Sequence, residues 1–431
     1  VLNANIRNDM SNRFGQNVNK RFDPNYSFGL SWDAAQEPWI RNNAKWVDML
    51  RLRATYGIQG NALTNRSNEL ILEYGTVDNL YQQFTNTIYQ LPNYNLSWEK
   101  TTTWNFGLDM GLFRAVNVIL EYYSRESNAI VTRDIPYLYG LSTMDVNGGI
   151  IKNRGVEATV EFFPINKKDL WLMVRLNASR NFNKAGDPVS TPTLYEFLNG
   201  SSSKILKAGY PVSGFWSFSY AGLSHEDGHP LFNLIDKETD VNMDPTEFLV
   251  YSGQSTPNFT GGLQIDFRYK SFLFSSNFSL LLGAKKRLPS PYNGFSDQGQ
   301  MPYPEVNLSR DLLNRWKKPG DEAHTDIPGF ITGSEYRYTL PNTNIMPWMQ
   351  MWNNSDLRVV NGSFLRCQQL MLTWQMKDDW CKKLSLQRFQ ASFSVANPFV
   401  IASKRFDGFD PELSGQQVRA RIFTFGLNIG F

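Results

Sequence analysis

The sequence predicts an all-β chain that forms a transmembrane antiparallel β-barrel. Three observations predict this fold: apolar side chains recur at every second position, the segments that show this reach about ten residues, and short connections alternate with very long ones. Successive side chains of a strand point to opposite faces, so alternation gives the strand one apolar and one polar face. A membrane barrel needs strands of this kind, because the outside of the barrel contacts lipid and its inside contacts water.

The segment 103–113 shows the alternation clearly. Its even positions are apolar, and its odd positions up to Gly111 are polar or small. The same division recurs around residues 26–33, 50–56, 156–162 and 263–269. A soluble β-sandwich also alternates, but its strands average about 5–6 residues, whereas a tilted membrane strand needs about 9–11. The length of the segments therefore favours a membrane strand.

The connections between the predicted strands are asymmetric. Short ones are residues 114–115, 165–168 and 269–271, and long ones are residues 59–100, 224–257 and 284–357. Short periplasmic turns with long extracellular loops are typical of outer-membrane barrels. The sheet is expected to close, because free sheet edges do not survive in hydrocarbon.

Composition argues against several other classes. With 43 basic and 40 acidic residues the net charge is +3, which does not favour a nucleic-acid partner, since that needs a strong basic excess. No run of about 18 uncharged apolar residues predicts a membrane helix. The chain starts at Val1 without a signal-peptide pattern, so we expect a mature product or a fragment. Two cysteines, Cys367 and Cys381, exclude a disulfide scaffold; we expect free thiols rather than a bridge.

About fourteen strands are predicted, an even number as a single-chain barrel requires. With an even number of strands, every long loop lies outside the membrane on the same side. The even count depends on one weakly marked strand within residues 185–210. The approximate spans are 1–10, 25–35, 47–58, 101–113, 116–128, 151–163, 169–183, one strand within 185–210, 213–223, 258–269, 271–283, 361–376, 386–398 and 419–431.

The last predicted strand ends the chain on an aromatic side chain. One face carries the apolar row Phe423, Phe425, Leu427, Ile429 and Phe431. This row resembles the signal that the outer-membrane barrel assembly machinery recognises. The alternative is an edge strand of a soluble protein that happens to end the chain. An exposed apolar row on such an edge strand would promote aggregation.

Several motifs, in order and spacing, resemble one family. They are S-N-R-F-G at 11–15, L-R-A-T-Y-G-I-Q-G-N at 52–61, N-L-S-W-E-K-T-T at 95–102, K-N-R-G-V-E at 152–157, T-P-N-F-T-G-G at 256–262, S-F-L-R at 363–366, D-P-E at 410–412 and F-T-F-G-L-N at 423–428. Each motif is weak alone. Together they make the chain similar, nearly from end to end, to the C-terminal part of a SusC/RagA-like TonB-dependent outer-membrane transporter of the Bacteroidetes type.

The resemblance implies a barrel of about 22 strands, of which this chain would supply the last fourteen. It also implies a plug domain, a TonB-binding segment and first strands that have no counterpart in residues 1–431. We therefore expect a partial record or one piece of a split transporter; a self-contained fourteen-stranded barrel is the alternative. The implied partners are a SusD-like surface lipoprotein, the TonB complex through the plug, outer-membrane lipid, and an oligosaccharide or peptide substrate.

Nine charged residues fall on predicted lumen faces: Arg51, Arg53, Asp109, Glu121, Glu157, Glu161, Arg175, Asp266 and Arg268. They would form either a hydrated wall that docks against the plug or a polar path for substrate. Aromatic residues in the predicted extracellular loops include Tyr81, Tyr94, Trp348 and Trp352. These rings would stack on sugars or peptide side chains, or pack the loops against a partner.

Two sequence features resemble metal sites. Residues 225–229 spell H-E-D-G-H, but Gly228 and the following Pro230 oppose the helix that an H-E-x-x-H zinc site needs. The acidic residues Asp236, Glu238, Asp240 and Asp244 lack EF-hand spacing, so a solvated loop is favoured over a loop-bound calcium ion. We predict no cofactor, no resident metal and no catalytic group.

The sequence leaves three possible functions open. The first is TonB-dependent import of an oligosaccharide or peptide across the outer membrane beneath a SusD-like lid. The second is a passive porin-like channel, which needs neither plug nor lid. The third, a secreted zinc enzyme, would depend on His225.

Overall fold

The computed structural model describes residues 1–11, 22–62, 67–188, 191–200, 204–234, 239–292, 307–330, 337–413, 415 and 417–431. Four short α-helices lie in these residues: α1 (Pro38–Asn43), α2 (Leu194–Asn199), α3 (Trp348–Asn353) and α4 (Asp378–Lys383). The strands, in chain order, are β1 (Leu2–Met10), β2 (Phe22–Asp33), β3 (Val47–Asn61), β4 (Ile71–Val77), β5 (Phe84–Gln90), β6 (Glu99–Leu112), β7 (Val116–Asp134), β8 (Thr143–Lys167), β9 (Leu170–Ala185), β10 (Gly214–Phe218), β11 (Tyr220–Leu223), β12 (Pro230–Phe232), β13 (Leu249–Gln254), β14 (Phe259–Tyr269), β15 (Phe272–Leu282), β16 (Lys285–Arg287), β17 (Arg337–Thr339), β18 (Ile345–Pro347), β19 (Val359–Asn361), β20 (Phe364–Gln375), β21 (Arg388–Ala402) and β22 (Ile422–Gly430).

A single antiparallel sheet of twelve strands dominates the structure. Its order is β1-β2-β3-β6-β7-β8-β9-β14-β15-β20-β21-β22. The strands of this sheet therefore follow one another in space in the same order as in the chain. In the described residues, β1 and β22 each pair on one side. The turns 113–115, 168–169 and 270–271 lie at one end of the sheet, and the described parts of the long connections 62–98, 186–258 and 283–363 lie at the other.

The all-β antiparallel architecture is confirmed, but twelve strands rather than fourteen form the described sheet. The region 185–210 contains helix α2 instead of a strand, because Thr193 and Glu196 form a capping box at its N-terminus. Segment 213–223 forms β10 and β11, which pair with β13 and β12 outside the large sheet. All five residues of β10 are buried, so neither of its faces is available to lipid. The described sheet thus has two strands fewer than predicted. Because two is an even number, short turns and long loops still alternate between the two ends of the sheet.

One face of the sheet carries aligned apolar side chains. Antiparallel partners share a face, and one such row runs through Leu30, Ala54, Phe106, Tyr122 and Val156. A second row runs through Phe267, Phe274, Leu372, Phe393 and Phe425. Phe106 is 48% exposed and Phe425 is 69% exposed. The face therefore forms an apolar belt that no other described part of the chain covers.

The long loops fold together at the loop end of the sheet. Connections 186–258 and 283–363 share two apolar clusters, which we call the loop core. Its buried members are Leu194, Phe197, Leu198, Leu206, Trp216, Phe218, Phe248, Leu249, Tyr292, Leu312, Leu340, Met346, Trp348, Met349, Met351 and Trp352. The loops thus have an ordered interior of their own.

Two further expectations concern helices and cysteines. Within the ranges that the structure describes, no helix is both long enough and apolar enough to cross a membrane. Cys367 in β20 and Cys381 in α4 are both buried free thiols in this structure.

Candidate functional site

The face opposite the apolar belt is polar, and we call it the polar wall. The predicted lumen-facing residues lie on it, since Arg51 pairs with Asp109, Arg53 with Gly107, and Gly107 with Glu121. Further along, Glu161 pairs with Arg175. Residues on successive rungs of the ladder are two positions apart and share this face.

Arg53 joins three strands of the wall. Its guanidinium donates to both carboxylate oxygens of Asp109, at 3.0 and 2.8 Å, and to Glu121 at 2.8 Å. The side chain crosses Gly107, where an added Cβ would lie 2.8 Å from Cζ of Arg53. Glycine at this rung therefore leaves the space through which the arginine reaches the second strand.

A second ionic group crosses β8, β9 and β14. Arg175 donates to Glu161 at 2.7 Å and to Gln264 at 3.2 Å. Gln264 in turn donates to Asp266 at 2.8 Å. The structure therefore brings three of the predicted charged residues into one hydrogen-bonded chain.

The remaining predicted charges are more loosely held. Arg51 lies 4.0 Å from Asp33, and Glu157 accepts from Ser179 at 3.5 Å. The guanidinium of Arg268 lies 5.7 Å from the ring centroid of Trp171. All nine predicted residues lie on the turn half of the wall, and the structure does not gather them into one site.

The loop half of the wall carries amides and hydroxyls instead. One rung contains Ser27, Gly57, Thr103, Arg125, Asn153 and Asn183. On the neighbouring rung Tyr123 crosses Gly155 and donates to Asn181 at 3.2 Å. A niche of about 500 Å³ opens here above Gly57. This group was not among the residues predicted from the sequence, although the alternation from Glu121 places Tyr123 and Arg125 on the same face.

Two of the predicted loop aromatics are interior residues. Trp348 is 2% exposed and Trp352 is 0% exposed, and both pack edge-on against Tyr292 in the loop core. Because they are buried, they cannot stack on a ligand in this conformation, and they pack within the chain's own loop core instead of against a partner. Burial raises the pKa of the Tyr292 hydroxyl, which donates to the carbonyl oxygen of Pro328 at 2.6 Å.

Buried arginines connect the loops. Arg287 donates to the carbonyl oxygen of Trp216 at 2.7 Å and to Ser217 at 2.8 Å, and burial lowers its pKa to about 10. Arg358 lies over the ring of Trp352 at 4.5 Å, and burial likewise lowers its pKa to about 10. Arg358 also donates to the carbonyl oxygen of Pro289 at 2.5 Å, so both side chains satisfy carbonyl groups of the loops.

The other two predicted loop aromatics are exposed. Tyr81 is 72% exposed at the tip of the β4–β5 hairpin, and Tyr94 is 62% exposed. Three more aromatic side chains of the hairpin region are at least as exposed as Tyr94: Tyr74, Phe84 and Tyr89. Within the described ranges the hairpin pairs with no other strand, so this cluster projects from the loop end.

The loops also surround a cavity of about 920 Å³. Its lining combines Tyr195, Lys207, Asn242 and Asn342 with apolar residues. Nζ of Lys207 lies 3.7 Å from Asp244. The lining comes from segments that are distant in sequence, so periodicity could not indicate it.

The H-E-D-G-H segment forms a turn, not the helix that a zinc motif needs. Gly228 has a φ of +71°. Nδ1 of His225 lies 2.5 Å from Glu322, and Nδ1 of His229 lies 2.5 Å from Asp227. The hydrogen bond with His225 lowers the pKa of Glu322 to about 2. Each imidazole thus contacts a different carboxylate.

The acidic run is described only in part. Asp236 and Glu238 lie outside the described residues. Asp240 accepts from the N–H of Asn242 at 2.9 Å, and Asp244 accepts from that of Thr246 at 2.8 Å. The described residues contain no group of three or more His, Cys, Asp or Glu arranged to hold a metal ion.

A buried ion pair fixes the last long connection. Arg366 of β20 donates to both oxygens of Asp410, at 2.7 and 2.8 Å, and both side chains are at most 2% exposed. Burial favours the neutral acid, but hydrogen bonds from Arg366 and from the N–H of Glu412 outweigh it, so the pKa of Asp410 is lowered. The motifs at 363–366 and 410–412 therefore meet in space.

The terminal row lies where the sequence predicts it. Phe423, Phe425, Leu427 and Ile429 point from β22 to the apolar side, and Phe431 follows at 83% exposure. The first motif, by contrast, lies mostly outside the described residues, which omit 12–21.

Comparisons with known proteins cover the whole chain. It is 26% identical to the TonB-dependent receptor SusC of Bacteroides thetaiotaomicron, over 99% of this chain and 42% of that receptor. It is 22% identical to the TonB-dependent receptor P3 of Formosa agariphila, over 100% of this chain and 44% of the relative. No protein-family model matches the sequence.

Solved structures agree with these relatives. The RagAB peptide transporter aligns with a TM-score of 0.77 at 22% identity, over 100% of this chain and 46% of that one. The RagAB peptide importer in its open-open state also aligns with a TM-score of 0.77. The chain therefore spans less than half the length of the proteins it matches. These comparisons confirm its resemblance to the C-terminal barrel part of SusC/RagA-like TonB-dependent transporters.

Proposed function

We propose that this chain is the C-terminal barrel part of an outer-membrane importer that takes up an oligomeric nutrient in a TonB-dependent manner. The nutrient would be an oligosaccharide or a peptide. The chain would supply the barrel wall, the extracellular loops and part of the ligand-binding surface, while a plug domain and the TonB complex supply the coupling to energy. We assign it no enzymatic activity, since its named relatives are receptors and transporters.

The observation that carries this proposal is the two-faced sheet. Apolar partners align across twelve strands on one side, while ion pairs, amides and hydroxyls line the other. Lipid contact accounts for the first face and a hydrated lumen for the second. An apolar face of this extent on a water-soluble protein would promote aggregation.

The exposed hairpin supports a lipoprotein partner at the loop end. Tyr74, Tyr81 and Phe84 are each more than 70% exposed, and an isolated two-stranded hairpin is only marginally stable in water. The hairpin belongs to the connection between β3 and β6 and not to the sheet that carries the apolar belt, which argues against lipid as its cover. We assign this surface to the SusD-like lid.

The lid assignment predicts a loss of partner binding. Replacement of Tyr81 and Phe84 by Ser should reduce co-purification of the proposed SusD-like lipoprotein from the native host. Leu384→Ser is the matched control, because Leu384 is 60% exposed but lies in the turn end. Equal recovery of the lipoprotein with all three proteins would contradict the assignment.

Import itself is tested by energy dependence. Cells that carry the complete gene should accumulate the nutrient, and deletion of TonB should abolish uptake while surface levels of the barrel stay unchanged. Uptake that continues without TonB, in proportion to external concentration, would instead support the passive channel. Candidate nutrients are the oligosaccharides or peptides that neighbouring hydrolase genes would generate.

A further inference from the structure

We infer that the niche around Arg125 is a subsite for a carboxylate group of the transported oligomer. This inference rests on the proposed function, because it assumes that the oligomer passes along the polar wall. The niche occupies about 500 Å³ on the loop half of that wall. Its polar lining consists of Ser27, Thr55, Gln59, Asn61, Thr101, Thr103 and Arg125.

The charge of the niche is the first argument. None of the residues that line it carries a carboxylate, so Arg125 supplies a positive charge among hydroxyl and amide groups. Glu99 lies next to the niche, but its two oxygens accept from Asn61 at 3.0 Å and from the N–H of Ile130 at 2.9 Å. Arg125 is therefore the charged side chain of the lining, and both oxygens of the neighbouring Glu99 already accept hydrogen bonds.

The state of the guanidinium is the second argument. Arg53 and Arg175 on the same wall donate to carboxylates, whereas Arg125 forms no ion pair within the described part of the chain. Instead its Cζ lies 5.1 Å from the ring centroid of Tyr123, and Tyr123 is held by its hydrogen bond to Asn181. The ring supports the guanidinium from one side and leaves its donors available.

The chemistry of the pair is the third argument. A guanidinium presents parallel N–H donors whose geometry matches a carboxylate. The hydroxyl groups of Thr101 and Thr103 and the amide of Gln59 add donors and acceptors for the groups beside that carboxylate. An oligopeptide C-terminus or the uronic acid of an oligosaccharide would supply the same chemistry.

The test measures binding to the purified full-length protein by calorimetry. One probe pair is an oligopeptide with a free C-terminal carboxylate and its C-terminal amide. The other is an oligogalacturonate and its counterpart with the carboxyl groups reduced to alcohols. The pair whose acidic member binds more tightly identifies the source of the carboxylate.

Arg125→Gln should weaken binding of the acidic member about tenfold or more and leave the neutral member unchanged. Arg180→Gln is the matched control, because Arg180 also lies over an aromatic ring, at 4.8 Å from Phe182, but on the apolar face. It should change neither affinity. Arg125→Lys should retain part of the preference, since it keeps the charge but not the paired donors.

Two results would overturn the inference: equal affinity of the wild-type protein for both members of both pairs, or an unchanged acid preference in Arg125→Gln. Heat-modifiability on gels verifies that each variant is folded. Failure of the proposed function is distinguishable. An acid preference together with TonB-independent uptake would refute the importer but support the carboxylate subsite. TonB-dependent uptake without an acid preference would support the importer but refute the subsite.

Discussion

Arg53 reaches the carboxylate of Glu121, two strands away, with a hydrogen bond of 2.8 Å. The strand between them contributes Gly107 at the same rung, so no side chain blocks the path. Tyr123 reaches Asn181 in the same way across Gly155. Glycine on the polar wall therefore allows side chains to form hydrogen bonds that span three strands. These hydrogen bonds connect the strands on the polar face of the sheet.

Alanine at these glycines should destabilise the sheet to different extents. In Gly155→Ala the new Cβ would lie 2.5 Å from the ring of Tyr123, which is rigid, so the whole side chain must move. We expect a loss of about 1–3 kcal/mol. Gly107→Ala displaces the flexible end of Arg53 and should cost less, about 0.5–1 kcal/mol, because this ion pair is partly exposed. Urea unfolding in detergent measures both.

Gly29→Ala is the control for this series. Its Cβ would come no closer than 3.5 Å to any side chain, and Gly29 lies on the same wall. It should leave the unfolding midpoint unchanged. An effect equal to that of Gly155→Ala would show that the loss arises from the strand backbone and not from the crossing side chain.

The ion pair of Arg366 and Asp410 should be costly to break. Arg366→Gln leaves a buried carboxylate without its cation, for which we expect a loss of about 3–5 kcal/mol. Arg419→Gln removes an ion pair of 3.2 Å whose partners are about 40% exposed, and should cost at most about 1 kcal/mol. Urea unfolding compares the two variants, and similar losses would contradict the importance of burial.

Acidification should release the connection 403–421. The pKa of Asp410 is lower in the folded chain than its ordinary value, so its stabilisation is complete above about pH 4 and is lost as the pH falls through the folded value. Hydrogen exchange of the N–H groups of Glu412 and Arg419, corrected for intrinsic rates, should be unchanged between pH 5 and 8 and accelerate below pH 4. In Asp410→Asn this acid-induced change should disappear.

Truncation of Trp352 should loosen the loops. The side chain is 0% exposed in the loop core, so Trp352→Ala should cost about 3–5 kcal/mol of local stability. Limited proteolysis of intact cells should then cleave the loops faster. Tyr137→Ala removes a ring that is 84% exposed and lies outside the proposed lid surface, and should leave the rate unchanged; equal rates in both variants would contradict an ordered loop core.

Deletion of Phe431 should reduce barrel assembly severalfold. The residue completes the apolar row of β22 at the end of the sheet. Surface protease accessibility and heat-modifiability measure the assembled fraction. Asn428→Ala, on the opposite face of the same strand, should assemble normally. Unchanged surface levels after the deletion would count against an assembly signal.

Much of the fold follows from local patterns. Alternation places Trp104 and Asp109 on opposite faces without reference to any other strand. The same rule places the charged residues of the polar wall and the apolar row of β22. It fails at 213–223, because Phe215, Trp216 and Phe218 are apolar on both faces and were assigned to the barrel.

The sequence alone therefore determined the two-faced antiparallel sheet, the asymmetry of its connections and the family that its motifs resemble, because each depends on neighbours a few residues apart. The tertiary structure decided the strand count, the burial of Trp348 and Trp352, the pairing of Arg366 with Asp410, and the contrast between the paired Arg53 and the niche of Arg125. These depend on contacts between residues up to 136 positions apart, as between Tyr220 and Asp356. Local periodicity carries no information about such contacts, since they form only when loops that are distant in sequence bury a common core.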